Sequence, residues 1–330
     1  MSTLTLTACR HSWPLARPFR ISRGVKSSAD TVIVEISDGA HKGHGECTPY
    51  ARYGESIESV LEQLKTVARN PASFGSSEAV QEALPAGAAR NALDCALIDF
   101  EAKRSRIPAA RRFAITPKPC HTAFSLGIDA PGAMYEAAKA ANALPVLKIK
   151  LGSGDKDADH ERLCAVRKGA PNAKLIVDAN EGWTFNDWDE HLRSCTENNV
   201  DLIEQPVPAG DDDDLKGIRS PIPICADESF HTRKELADIA GRYDAINIKL
   251  DKTGGLTEAF AVLEAARKHK LIIMAGCMVA SSLAMAPAIL IAQYATWVDL
   301  DGPLLLAQDH ENALRFEESL LYPPSPALWG

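Results

Sequence analysis

Hydrophobic positions follow two different rhythms along the chain. In the first third, β-branched alternation marks Leu4 to His11 and Thr31 to Ile36 as strands. Asp38-Gly39 is a hairpin-turn dipeptide, and a second strand runs through His44 to Cys47. Helical spacing then takes over. Ile57, Val60, Leu61, Leu64 and Val67 share one face of a helix over Ser56 to Ala68, and Leu93, Ala96, Leu97 and Phe100 share one face of a helix over Ala88 to Lys103. The basic, Pro-containing stretch from Arg104 to Arg112 reads as a connection.

From about Cys120 short apolar strands alternate with helical patterns. The strands are Thr122–Leu126, Val146–Lys150, Leu175–Asp178, Leu202–Glu204, Ile224–Asp227, Ala245–Lys249, Leu271–Ala275 and Trp297–Leu300, starting roughly every 25 residues. That spacing suits one βα unit per step, and eight parallel strands with helices between them close into a barrel. An open doubly wound sheet ranks lower, because no Gly-rich phosphate loop follows the first strand. The expected fold class is α/β: a modified (β/α) barrel over residues 116–311, with an N-terminal α+β capping domain over residues 1–115. A tail from about 312 to 330 is expected to return to the cap.

The segment Leu271 to Ala292 is long and apolar enough to suggest a membrane span. Gly276, Ser281, Ser282 and Pro287 interrupt it, so it reads as a buried strand, a turn and a core helix. Composition agrees with a soluble globular protein: 45% of the 330 residues are hydrophobic and 24% charged. A net charge of -8 without any basic stripe excludes nucleic acid as a partner class but leaves room for a small anionic substrate. No apolar signal core stands in Met1 to Phe19, so the expected location is cytoplasmic, away from any membrane. The eight cysteines form no C-x-x-C pair and read mostly as small buried hydrophobes in a reducing compartment.

Charge changes the picture where the strands end. Buried parallel strands should be apolar throughout. Here they finish in Lys148-Ile149-Lys150, Asp178, Glu204, Asp227 and Lys249, and the eighth carries Asp299 and Asp301. The C-terminal ends of barrel strands are where such folds place their active sites. Asp178, Glu204 and Asp227 come from three neighbouring strands and would repel one another without a counter-charge. A hard cation with oxygen ligands, Mg²⁺, resolves this and leaves positions for a substrate carboxylate. The second and sixth strands lie on opposite sides of a ring of eight, and each carries a lysine. Two bases on opposite faces of one carbon suit racemisation or epimerisation, with the cation and Lys148 stabilising an enediolate. Positive charge nearby is expected to lower the lysine pKa values. Asp299 and Asp301 exceed what one metal needs, and suit a substrate ammonium group.

As a set, these segments resemble the enolase superfamily in its muconate-lactonising subgroup. The resemblance rests on Lys148-Ile149-Lys150, Asp178-Ala179-Asn180, Ile203-Glu204-Gln205-Pro206, Ala226-Asp227-Glu228-Ser229, Asn247-Ile248-Lys249 and Leu250-Asp251-Lys252-Thr253-Gly254-Gly255. It implies Mg²⁺ on Asp178, Glu204 and Asp227, with Lys150 and Lys249 as the acid/base pair. Asp299-Leu300-Asp301-Gly302-Pro303 is similar to the dipeptide epimerases, where the acidic pair holds the substrate's ammonium. Ile21-Ser22-Arg23-Gly24 sits where a mobile capping loop would cover the site. There Arg23 would fork onto a glutamate side-chain carboxylate, as in enzymes acting on L-Ala-D/L-Glu. The resemblance puts Ser125, Cys277 and Met278 beside the substrate, and Asn180 and Asp251 behind the reacting groups, Asp251 with Lys252 supporting Lys249. It departs from the pattern at Ser125, often Thr in relatives, and at Ala280, often Glu.

The expected function is thus Mg²⁺-dependent epimerisation of a dipeptide derived from cell-wall peptide. A lyase of the o-succinylbenzoate synthase or cycloisomerase kind is the alternative, and a catalytically silent ligand-binding barrel stands third. Homo-oligomers are common for such barrels, though no residue here demands one. The acidic run Asp211 to Asp214 reads as a solvated helix start. His160, His191, His231 and His269 read as surface or satisfied histidines.

Overall fold

The structure, a computed structural model, describes residues 4–330. The N-terminal part is a three-stranded antiparallel sheet, β1 (Thr5–Ile21), β2 (Gly24–Ser37) and β3 (Lys42–Cys47), in that order. Asp38-Gly39 makes the expected turn into β3. Asp38 Oδ1 accepts from the N–H groups of Ala40 and His41 at 2.9 and 2.8 Å. The β1–β2 hairpin is much longer than the alternation predicts. Its pairing shifts register between Pro14 and Phe19 and then continues to Ile21↔Gly24. Pro14 and Pro18 lack N–H donors and break the apolar rhythm, so this half of the arm is invisible to periodicity.

Four helices complete this part: α1 (Ile57–Ala68), α2 (Ser77–Ala83), α3 (Ala88–Ser105) and α4 (Ala109–Arg112). A reciprocal Ser56–Ser59 capping box starts α1. The stretch expected to be a mere connection holds α4. Helix α3 is buried along nearly its whole length, because the sheet covers one side and the barrel another. It crosses β3 backbone on backbone: a Cβ at Gly45 would lie 2.1 Å from Ala92 O, and one at Gly43 2.2 Å from Phe100 N. Only glycine permits that approach.

The second part is an eight-stranded parallel sheet that curls into a barrel. After β4 (Cys120–His121) come β5 (Phe124–Leu126), α5 (Pro131–Ala140), β6 (Val146–Lys150), α6 (Lys156–Gly169), β7 (Lys174–Asp178) and α7 (Trp188–Glu197). Then follow β8 (Leu202–Glu204), β9 (Ile224–Ala226), α8 (Leu236–Ile239), β10 (Ala245–Ile248), α9 (Leu250–Thr253), α10 (Leu256–Lys268), β11 (Ile272–Gly276), α11 (Ser282–Ala292) and β12 (Trp297–Asp299). The sheet runs in sequence order from β5 to β12, and Ala123 N donates to Val298 O at 2.7 Å across the seam. Leu271 to Ala292 resolves into β11, a turn and the wholly buried α11. Among the described residues, no helix is long and apolar enough to cross a membrane.

The tail splits its contacts. Strands β13 (Phe316–Glu317) and β14 (Leu320–Leu321) add to β4 in a small antiparallel sheet. The last residues reach α3, where Trp329 Nε1 donates to Cys95 O at 3.0 Å and Gly330 N to Asp99 Oδ1 at 2.7 Å. All eight cysteines are free; Cys47, Cys95, Cys195 and Cys225 are buried, and Cys9 is exposed.

Period-two alternation stacks the barrel interior in layers. Ala123, Ile176, Leu202, Cys225, Ala245, Met274 and Trp297 form one apolar layer that fills the lower barrel. Two residues further along each strand stand Ser125, Asp178, Glu204, Asp227, Asn247, Gly276 and Asp299. An apolar plug therefore lies directly beneath a polar layer at the C-terminal ends of the strands.

Candidate active site

The polar layer gathers charges of both signs in a buried space. Lys148 is 1% exposed and its ammonium touches three carboxylates: Glu204 Oε2 and Asp299 Oδ2 at 2.7 Å, and Asp178 Oδ2 at 3.1 Å. Lys150 donates to Asp178 Oδ2 at 2.5 Å. Across the barrel, Lys249 donates to Asp227 Oδ2 at 2.6 Å, and Lys252 donates to Asp227 Oδ1 at 2.6 Å and to its carbonyl at 2.5 Å. Buried charges persist only when paired in this way. Strands β6 and β10 are four apart in the sheet order, so Lys150 and Lys249 enter from opposite sides.

The electrostatics follow from that pairing. Burial pushes the Asp178 and Asp227 carboxyls up, but the lysines win. Lys150 and Lys148 hold Asp178, and Lys249 and Lys252 hold Asp227, well below the usual carboxylate range. Glu204 goes the other way: burial and the neighbouring Asp178 push it up to about 7. Burial lowers the Lys252 ammonium from its ordinary value. For Lys148 and Lys249 burial acts in the same sense, yet the facing carboxylates hold both well above the ordinary value. The nearest neighbours of both ammonium groups are anions, and these outweigh burial.

Among the described residues, no three His, Cys, Asp or Glu side chains stand ready as a cage for a metal ion. The lysine ammonium groups sit among the carboxylates instead. The donor set still suits a hard cation, with three carboxylates at the ends of adjacent strands β7, β8 and β9. Glu204 Oε2 is buried without a hydrogen bond, since Lys148 approaches it outside hydrogen-bonding angles.

Two stretches of the chain match family models. Residues 133–326 match the enolase C-terminal domain-like family, and residues 3–111 match the mandelate racemase / muconate lactonizing enzyme N-terminal domain. The chain belongs to the enolase superfamily. Among curated relatives it is 46% identical to the N-acetyl-D-glutamate racemase of a Pseudoalteromonas species, over 91% of this chain and 95% of that one. It is 43% identical to the L-Ala-D/L-Glu epimerase of Escherichia coli strain K12, over 96% and 99%. A solved enolase family member from Agrobacterium tumefaciens, described as homologous to dipeptide epimerases and holding sodium and L-Ala-L-Glu, superposes with a TM-score of 0.96. The two are 46% identical over 99% of this chain and all of that one.

In this superfamily chain the remaining expected residues fall as follows. Asp301 Oδ2 accepts the Ser125 N–H at 2.7 Å, and burial with the adjacent Asp299 pushes its carboxyl up to about 7. Cys277 and Met278 are half-buried in the turn after β11. Desolvation and the nearby Asp299 and Asp301 push the Cys277 thiol up. Asn180 N donates to Asp178 Oδ1 at 2.9 Å, and its side chain reaches toward Glu228. Asn180, Glu181 and Gln205 adopt positive φ values of 45°, 68° and 34°, so the chain turns sharply, with strain, as β7 and β8 end.

Asp251 is a correction. It lies on the short helix α9, which turns its carboxylate away from Lys249. Its Oδ1 instead accepts from Thr48 N at 3.0 Å and Asn91 Nδ2 at 2.9 Å, across the contact with the cap. Lys252 alone of that pair faces the site. Arg23 is at the hairpin tip over the barrel end, where its guanidinium is already engaged. Nε and Nη2 donate to Tyr50 OH, Nη1 to Asn180 O and Glu181, and Nη2 also to Glu228 Oε1 at 2.6 Å. A guanidinium has five N–H donors, so a substrate carboxylate reaches Arg23 only by displacing one of these partners. Arg52, also from the cap, makes a bidentate pair with Glu181 at 2.9 and 2.7 Å. Tyr50 and Arg52 carry no local pattern that marks them in the sequence; only the cap's docking brings them here.

Proposed function

We propose that this chain is a Mg²⁺-dependent dipeptide epimerase acting on L-Ala-D/L-Glu by two-base proton transfer. The observation that carries the reading is the pair of lysines, Lys150 and Lys249, entering from opposite sides of one barrel mouth around three carboxylates. Asp178, Glu204 and Asp227 would hold Mg²⁺, which when bound supplies Lewis-acid stabilisation of negative charge on a substrate carboxylate. Lys150 and Lys249 exchange the proton of the glutamate α-carbon, one removing it and the other returning it on the opposite face. Lys148 stabilises the developing enediolate oxygen as a fixed cation. Asp301, with Asp299, receives the substrate ammonium, and the hairpin tip with Arg23 excludes water above. The names of the relatives at 43% and 46% identity, an epimerase and a racemase, favour this chemistry over a lyase. Turnover of cell-wall peptide in a reducing cytoplasm belongs to the same proposal, and the free cysteines accord with it.

One observation favours a second reading, racemisation of an N-acylated glutamate. Asp299 is engaged by Lys148, and the Asp301 carboxyl is pushed up to about 7, so the pair carries less negative charge than an ammonium calls for. Proton NMR in D₂O with Mg²⁺ separates the two. L-Ala-L-Glu should lose its glutamate α-proton signal and give the second diastereomer faster than N-acetyl-L-glutamate exchanges. Faster exchange of the N-acetyl compound would reverse the order, and exchange of neither would sink both.

A further inference from the structure

The acidic run Asp211 to Asp214 divides in the structure. Asp211, Asp213 and Asp214 are exposed as expected, but Asp212 is 1% exposed and forms the hub of a buried network. Its Oδ1 accepts from Arg242 Nη1 at 2.5 Å. Its Oδ2 accepts from the hydroxyls of Ser229 and Tyr243, both at 2.6 Å. Burial and the bond to Asp212 push the Tyr243 phenol above its ordinary value, so it remains an O–H donor.

The donors can be followed inward. A carboxylate only accepts, so both hydroxyl hydrogens are committed to Asp212, and only lone pairs remain toward the barrel. Gln205 meets those lone pairs with its amide nitrogen: Nε2 donates to Ser229 Oγ at 2.8 Å and lies 3.1 Å from Tyr243 OH, with Val207 O at 2.9 Å. That fixes which way the amide faces. Its Oε1 must point to the end of β9, where it accepts from Asp227 N at 2.9 Å and Ser229 N at 3.1 Å. Gln205 follows Glu204, and its strained φ of 34° aims its side chain across to the neighbouring strand end.

We propose that Asp212 is a positioning residue for the metal site: acting through Ser229, Tyr243 and the oriented amide of Gln205, it fixes the backbone of Asp227 relative to Glu204. The inference rests on the reading of Asp178, Glu204 and Asp227 as the Mg²⁺ ligands. In Asp212→Asn the side chain keeps its shape but can donate. The Ser229 and Tyr243 hydrogens are then free to turn toward Gln205 Nε2, donor meets donor, and the amide, still tied to Val207 O, is displaced from the N–H groups of Asp227 and Ser229.

The test is Mn²⁺ binding to the full chain without substrate, followed by electron paramagnetic resonance, beside the thermal unfolding midpoint. Wild type should bind Mn²⁺, Asp227→Asn should lose it, and Asp212→Asn should bind about tenfold or more weakly with a broadened signal, the range seen when groups behind metal ligands are changed. If Asp212→Asn does not fold, Tyr243→Phe, which removes one of the two hydroxyls, should weaken Mn²⁺ several-fold. Wild-type affinity and line shape in the folded variant, with only a lowered midpoint, would reduce the network to a structural one and overturn the proposal. Absence of Mn²⁺ binding by wild type would overturn the metal reading beneath it as well.

Discussion

Asp251→Asn should stabilise the protein, and by an amount that grows with pH. Asp251 sits where the cap meets the barrel, and burial pushes its carboxyl up to about 7 from an ordinary 3.8. Between those values the folded chain keeps a proton that the unfolded chain has released. Stability therefore falls as pH rises from about 4 to about 7, and the loss is complete above that. A gap of roughly three pH units corresponds to at most about 4 kcal/mol. Asparagine keeps the oxygen that accepts from Thr48 N and Asn91 Nδ2 and removes the ionisation. The variant's advantage should be small at pH 4.5 and approach that limit at pH 8, several degrees in unfolding temperature for a chain of this size. Calorimetric melts of both proteins at fixed metal content would read it. Parallel stability curves, or a variant less stable at pH 8, would mean that Thr48 and Asn91 stabilise an ionised Asp251, and the reasoning would fail.

Other expectations are equally open to measurement. Gly45→Ala places a Cβ against Ala92 O and should cost about 3 kcal/mol in a urea titration; a loss below about 1 kcal/mol would show that the crossing of α3 and β3 can give way. Lys150→Ala and Lys249→Ala should each reduce epimerisation by at least about 10²-fold while leaving α-proton exchange with one epimer, a different one in each variant. Full turnover in either would end the two-base scheme. Asp301→Ala should raise KM for L-Ala-L-Glu and spare that for N-acetyl-L-glutamate, with equal shifts refuting an ammonium role. Chelation by EDTA should stop the reaction and added Mg²⁺ restore it; undiminished activity after chelation would remove the metal from the scheme.

Much of the barrel was legible because its alternation is strict. A charge two residues beyond an apolar interior position, as in Ile176 then Asp178 or Leu202 then Glu204, has nowhere to point but into the barrel mouth. The arm of the β1–β2 hairpin beyond Pro14 was not legible, because its pairing is imposed by the partner strand rather than by its own pattern. Single buried acids were misjudged for a related reason. Asp212 reads in the sequence as part of a solvated run and Asp251 as support for Lys249, and partners 17 to 31 and 160 to 203 residues away give them their interior roles. Arg23, expected in a capping loop, stands at the tip of this hairpin, and its engagement with Glu228 depends on a residue 205 positions along the chain.

The apolar layer under the polar one makes the barrel a vessel closed at its base. Ile176, Leu202, Met274 and Trp297 stop the bottom, so the polar layer opens toward the C-terminal mouth, beneath the hairpin tip. Arg23, held by Glu228 and Asn180, lies across that mouth. The ratio of solvent exchange to product escape should then depend on this closure as well as on the bases. A change at the tip of the cap, far along the chain from both lysines, would reset it.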